Sequence, residues 1–161
     1  MGKVLSSNNI SFDTLKDSND FLKFILNDIT SCVLLLDKDM MLYAFNDPLK
    51  NIFSNRLDEH LLYKRCGEAI GCAFTVEEMK DCGKTSKCTT CELRESALLA
   101  YVNRKNVYKG KLAREFYKTD STKVLKYLQF STRAFYYNQE YYLILIISDI
   151  TPLTELPDSF K

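Results

Sequence analysis

The stretch Cys32-Val33-Leu34-Leu35-Leu36-Asp37-Lys38-Asp39-Met40-Met41-Leu42-Tyr43-Ala44-Phe45-Asn46-Asp47-Pro48 decides how the chain folds. Its two apolar runs, Cys32 to Leu36 and Met40 to Phe45, are separated by Asp37-Lys38-Asp39, a polar triplet suited to a tight turn. They read as two strands of a hairpin. Asn46-Asp47-Pro48 closes the second run and opens a short helix through Phe53, because an Asn side chain can accept an orphan amide proton and Pro tolerates a first helical turn.

Upstream, Phe21, Phe24, Ile25 and Ile29 fall on one face of a helix spanning Phe12 to Ile29, with Asp17 and Ser18 able to cap its start. Downstream, Asn55 to Thr90 is of mixed polarity and predicts short helical pieces and loop. From Cys91, the spacing of Leu93, Ala97, Ala100 and Tyr101 predicts a helix, and Thr89 with Glu92 forms a capping-box signature at its start. Three strands follow, over Lys111 to Tyr117, Val124 to Tyr136 and Glu140 to Ser148, the last two joined at Tyr137-Asn138-Gln139. Two strands, helices, then three strands predict an α+β domain with an antiparallel sheet of five strands, flanking helices and a cysteine-rich insert.

Length and charge bound the function. The 161 residues, 46% apolar and 27% charged, suit one compact domain and exclude two large ones. With 22 basic against 21 acidic residues the formal charge is +1, which argues against nucleic acid as a partner, because neutralising phosphates needs a surplus of Lys and Arg on one face. No run reaches the about 18 to 20 apolar residues of a spanning helix, and Met1 to Phe12 lacks the core of a secretion signal. A cytoplasmic chain without a membrane partner is expected. Met1-Gly2 with Ser6 fits the loose myristoylation pattern, which is too short to change that reading. Phe135-Tyr136-Tyr137 and Tyr141-Tyr142 read as core or dimer surface on sheet strands rather than as a base-stacking platform.

Five of the six cysteines, Cys66, Cys72, Cys82, Cys88 and Cys91, crowd into one short stretch, and His60 is the single histidine. A metal site here is therefore mainly thiolate, which favours zinc, iron-sulfur or copper(I) over calcium or magnesium. The spacing Cys72-x9-Cys82-x5-Cys88-x2-Cys91 supplies four ligands. Cys88 and Cys91 enter a helix on the same side, where helix-start amides favour thiolate. Gly71 and Gly83 beside Cys72 and Cys82 free the backbone to converge. Four fates stay open: an iron-sulfur cluster that oxygen or oxidant would degrade, a structural zinc ion, a reversible disulfide, or free thiols. Cys32 reads as a small buried hydrophobe, Cys66 as an inert or spare loop thiol, and His60 as a polar helix residue.

The hairpin Leu34 to Asn46 and the ending Leu145-Ile146-Ile147-Ser148-Asp149-Ile150-Thr151 together resemble the PAS domain family, the sensory modules of signalling proteins. They bracket residues 30 to 151, leaving 1–29 as a lead-in helix and 152–161 as a tail. Gly67 to Cys72, Asp81 to Thr85 and Cys88 to Cys91 further resemble a cysteine-bearing PAS subgroup, in which Cys72, Cys82, Cys88 and Cys91 would be the matched metal set. In PAS proteins the Asp-Ile-Thr ending passes strain into a following output helix. No output domain fits in Pro152 to Lys161, so a free-standing sensor, an adaptor or a piece of a longer protein is expected.

The expectation is thus a signal-sensing module with a four-cysteine centre, an iron-sulfur cluster or alternatively Zn2+, reporting redox state, oxygen or metal. It would act on a signalling partner or a missing output domain. The alternative is a non-sensing dimerisation module with structural zinc. In both, the lead-in helix is the expected homodimer contact. No catalytic constellation is legible, since His60 has no nucleophile partner and there is no Gly-rich phosphate loop, so no enzyme is expected.

Overall fold

The computed structural model describes residues 12–53, 61–155 and 157. His60 and the Met1, Gly2 and Ser6 pattern lie outside the described residues. The hairpin forms as its composition demands, with β1 over Cys32–Leu36 and β2 over Leu42–Phe45. Asp37 makes its turn by accepting the amides of Asp39 and Met41 on Oδ1 at 2.9 and 3.0 Å. Alternation along β1 sends Cys32, Leu34 and Leu36 fully inward.

Three further strands complete the sheet: β3, Val107–Tyr117; β4, Lys123–Tyr137; and β5, Glu140–Asp149. The order is β2-β1-β5-β4-β3, every pairing antiparallel, so β5 returns to the centre and pairs Cys32 to Leu36 with Ile147 to Leu143. The five-stranded α+β architecture expected from the sequence is present. β4 and β5 meet at Asn138 and Gln139, whose φ values of 50° and 67° give the tight turn that matches strand twist. β3 starts four residues earlier than the apolar pattern suggested, because Val107, Tyr108 and Lys109 pair with Thr132, Ser131 and Phe130 before an irregularity ahead of Leu112.

Among the described residues there are seven α-helices. α1 is Phe12–Leu15, α2 Asn19–Asp28, α3 Pro48–Phe53, α4 Cys66–Ala69, α5 Ala73–Glu78, α6 Glu92–Asn103 and α7 Thr151–Thr154. Leu93, Ala97 and Ala100 press α6 onto the sheet, and the buried Thr132 hydroxyl donates to the Ser96 carbonyl at 3.2 Å. α3 buries Leu49, Ile52 and Phe53, the last against Phe116 with ring centres 5.0 Å apart. Each such large apolar side chain contributes about 1.5–3 kcal/mol on burial.

Three local expectations are corrected. The lead-in helix is broken at Lys16 to Ser18: Ser18 accepts the Phe21 amide as the cap of α2, so the capping signal stops one helix and starts another. Asn46 does not cap α3 with its side chain. Its Oδ1 takes the Val33 amide at 2.7 Å and its Nδ2 donates to the carbonyls of Leu26 and Ser31, so it ties the hairpin to α2. The Thr89 and Glu92 capping box does not form, because Cys88–Thr90 coils into a 3-10 turn and Cys91 becomes the cap of α6 with no side-chain bond.

At the far end of β5 the Asp149 carboxylate accepts from Lys126 Nζ at 2.7 Å and from the Thr151 amide at 3.0 Å. The Thr151 hydroxyl accepts the Tyr127 amide at 2.9 Å, fixing α7 to β4. No helix among the described residues is long and apolar enough to cross a membrane.

Candidate metal centre

Between α4, α5, α6 and the inner sheet face lies a cavity of about 50 Å³. Its apolar wall is Leu36, Met40, Ile70, Leu93, Phe116 and Leu145, and its opposite wall is sulfur. All four expected ligands, Cys72, Cys82, Cys88 and Cys91, line it, and so does Cys66, the thiol that the spacing argument set aside. Arg94 and Arg114 reach the same space and bring positive charge to it.

Each sulfur is placed by an identifiable device. Cys72 caps α5 and is bridged to Phe116 of β3, with the Tyr117 amide donating to the Gly71 carbonyl at 2.8 Å. The backbone of Cys82 is clamped by α4: its amide donates to Glu68 Oε1 at 3.2 Å and its carbonyl accepts from Arg65 Nη1 at 2.9 Å. Gly67 packs so closely that a Cβ there would lie 2.8 Å from Cys82 Sγ. Cys88 Sγ accepts the Gly83 amide at 3.0 Å and stands 2.9 Å from the Thr85 hydroxyl. Cys91 Sγ meets Arg114 Nη2 at 3.6 Å. Gly71 and Gly83 both have positive φ, 75° and 98°, the freedom the sequence reading assigned to them.

The thiols differ in acidity. Burial pushes the Cys66 thiol well above its ordinary value, and neighbouring thiols add to this, Cys82 foremost. Burial likewise pushes Cys82 up to about 11 against an opposing bond from the Gly67 amide. At Cys88 burial also acts upward, yet the Thr85 hydroxyl, the Gly83 and Thr85 amides and the Arg94 charge outweigh it and hold the thiol below its ordinary value. Cys32 stands apart from this wall in the hydrophobic core, its thiol pushed up to about 12 by burial.

This chemistry suits a thiolate-bound cation: a cation among the sulfurs would offset the proton cost of the buried thiols, and two guanidinium groups balance the surplus negative charge. The sulfurs share a cavity lining without meeting at a point. Among the described residues no three His, Cys, Asp or Glu side chains are gathered closely enough to hold one metal ion.

No family model matches the chain, and no curated protein does. Solved structures do. The PAS domain of a protein from Colwellia psychrerythraea superposes with a TM-score of 0.57 at 12% identity, covering 87% of this chain and 99% of that one. The PAS domain of an HTR-like protein from Haloarcula marismortui gives 0.55 at 12% identity over 84% and 100% of the two chains. That of nitrogen regulation protein NR(II) from Vibrio parahaemolyticus gives 0.53 at 11% identity over 80% and 97%. The chain has the PAS fold.

Proposed function

We propose that this chain is a signal-sensing module in which Cys72, Cys82, Cys88 and Cys91 hold a metal centre. An iron-sulfur cluster is the first choice and zinc the second. The observation that supports the proposal is that these four cysteines all line one cavity against the sheet. When bound, a cluster would supply sensitivity to oxygen or oxidant. The protein's own part is mechanical. Cys91 caps α6, whose Leu93, Ala97 and Ala100 lie on the sheet, so a change in the hold on Cys91 bears on that interface. β5 carries any displacement to Asp149 and α7, where a signalling partner or output domain would receive it. The reading assigns no catalysis and sets the protein in a reducing compartment, where unpaired thiols persist.

The test is anaerobic purification followed by visible absorption and elemental analysis. Broad brown absorbance with iron and sulfide, bleached by air, supports sensing. Neither iron nor zinc in the purified chain would overturn the metal centre.

A second reading, a dimerisation module stapled by zinc, draws on α2 and its cap, where Phe24, Ile25 and Ile29 share a side and remain exposed. A second copy of the chain is the proposed cover for this face under either reading. Phe24→Glu should then lower the molar mass measured by light scattering without lowering the unfolding temperature. Stoichiometric zinc in a colourless, air-stable dimer would favour this second reading over sensing.

A further inference from the structure

A second space, a groove of about 390 Å³, opens where the turn between β1 and β2, the hairpin between β4 and β5 and the end of α6 come together. Four tyrosines line it: Tyr43 from β2, Tyr101 from α6, and Tyr141 and Tyr142 from β5. Asp37, Glu140 and Lys38 bring two carboxylates and one ammonium to its rim, and none of these seven residues lines the cysteine cavity. The Tyr43 and Tyr142 ring centres lie 5.6 Å apart, inclined by 49°. Both carboxylates are held in place. The Tyr142 hydroxyl donates to Glu140 Oε2 at 3.3 Å, and Asp37 Oδ1 accepts the Asp39 and Met41 amides. The chain already sets one cation of its own on these rings: Arg104 Cζ stands 3.6 Å from the Tyr141 ring centre and 4.6 Å from that of Tyr101. Among the described residues no such contact falls on Tyr43 or Tyr142.

We propose that this groove binds a small organic cation, a quaternary ammonium or methylated amine, on the rings of Tyr43 and Tyr142 with Glu140 and Asp37 as its counter-charges. Binding here does not depend on the cysteine cavity. The groove's size lies within the roughly 300–1,000 Å³ of small-molecule sites. A hard divalent ion would take about six to eight oxygen ligands, and among the described residues no three His, Cys, Asp or Glu side chains gather to begin such a shell. A weakly hydrated organic cation needs none, because the negative ring faces attract its charge while its methyl groups bury against them. With Arg104 engaged on Tyr101 and Tyr141, two carboxylates face one ammonium, and the balance favours a cation over an anion. Lys38, exposed at the turn, is the charge that competes with the ligand.

The test titrates the full chain with choline and with 3,3-dimethyl-1-butanol, which has choline's shape without its charge, at matched ionic strength, following tyrosine ring protons by NMR. Choline should give a saturable shift of the Tyr43 and Tyr142 signals, with the uncharged alcohol at least about 5-fold weaker. Tyr43→Leu should weaken choline about 2- to 5-fold, whereas Tyr43→Phe, which keeps the ring, should stay within about 2-fold of wild type. Glu140→Gln should weaken binding and Lys38→Gln should tighten it, two opposite signs that a merely structural role would not produce. Circular dichroism verifies the fold of each variant, and should Tyr43→Leu not fold, the exposed pair Glu140→Gln and Lys38→Gln carries the test. Equal binding of the alcohol would make the groove an apolar site and overturn the proposal. So would the absence of a saturable choline shift, the same shift with sodium chloride alone, or charge variants that leave choline binding unchanged.

Discussion

Replacing Gly67 by alanine tests whether α4 and Cys82 are packed as closely as the sulfur wall requires. The added methyl would stand 2.8 Å from Cys82 Sγ, 3.1 Å from Cys82 Cβ and 3.6 Å from Cys72 Cβ. Two effects oppose each other. Alanine is favoured over glycine in a helix by about 0.5–1 kcal/mol, and α4 is only Cys66–Ala69, which puts the gain at the lower end. Overpacking costs about 1–3 kcal/mol, and Cys82 cannot swing away cheaply, since Glu68 and Arg65 clamp its amide and carbonyl. The collision wins by about 1–2 kcal/mol, which in a chain of this length lowers the unfolding midpoint by roughly 2 to 8 °C. Because the displaced atom is a proposed ligand, metal content should fall with it. The matched control is Gly110→Ala, where the new methyl would find only Cε1 and the hydroxyl oxygen of Tyr108, both at 3.8 Å, and its stability should stay within about 0.5 kcal/mol of wild type. The assay is thermal and denaturant unfolding of both variants beside metal analysis. A Gly67→Ala protein more stable than wild type and carrying the same metal would refute the close packing.

Three other outcomes follow from particular bonds. Asn46→Ala removes one acceptor and two donor contacts at a site only 5% exposed, so thermal unfolding should register a loss of about 2–4 kcal/mol. A loss under about 1 kcal/mol would mean that Asn46 does not hold the hairpin to α2. Thr85→Val takes away the hydroxyl beside Cys88 Sγ, and the pH profile of Cys88 alkylation in the metal-free chain should move to higher pH. An unmoved profile would deny that bond a role. At Asp149 burial pushes the carboxyl up, but Lys126 and the Thr151 hydroxyl and amide together hold it below the ordinary range. A carboxyl depressed by folding contributes stability above its unfolded value, about 3.9, and loses it as the pH falls through the lower folded value. The advantage of wild type over Asp149→Asn in urea midpoint should therefore be full at neutral pH and shrink below about pH 4. An advantage that does not change with pH would contradict the assignment.

The strands were legible because their signal is local. In β1, alternation between buried and half-buried positions and the Asp37 turn are both written within a few residues. Boundaries failed where one residue type serves two purposes. Ser18 is a good helix cap wherever it stands, and nothing in Phe12 to Ile29 says that it opens a second helix instead of strengthening the first. Asn46 offers the same side-chain oxygen to α3 or to Val33, and the choice is settled by how α2 lies on the hairpin, a tertiary fact. Thr89 lost its capping role because the 3-10 turn Cys88–Thr90 carries it past the position from which it could bond.

The same contrast explains why spacing grouped four of the five cysteines that line the cavity and left the fifth outside. Spacing along the chain identifies sulfurs brought together by a turn, as the 3-10 coil does for Cys88 and Cys91 and the left-handed glycines do beside Cys72 and Cys82. Cys66 reaches the wall by another route. It is delivered by packing α4 against the Cys82 loop, and only a small residue following it permits that approach. The available signal was the pair Cys66-Gly67 with Ala69 behind it, a helix start with two small residues facing inward. Glycine at 67 is costly to a helix unless something must come close, and what comes close is the sulfur of Cys82. Read that way, Gly67 indicates that the chain gives up local helix stability to bring α4, with Cys66 at its head, against Cys82 and Cys72.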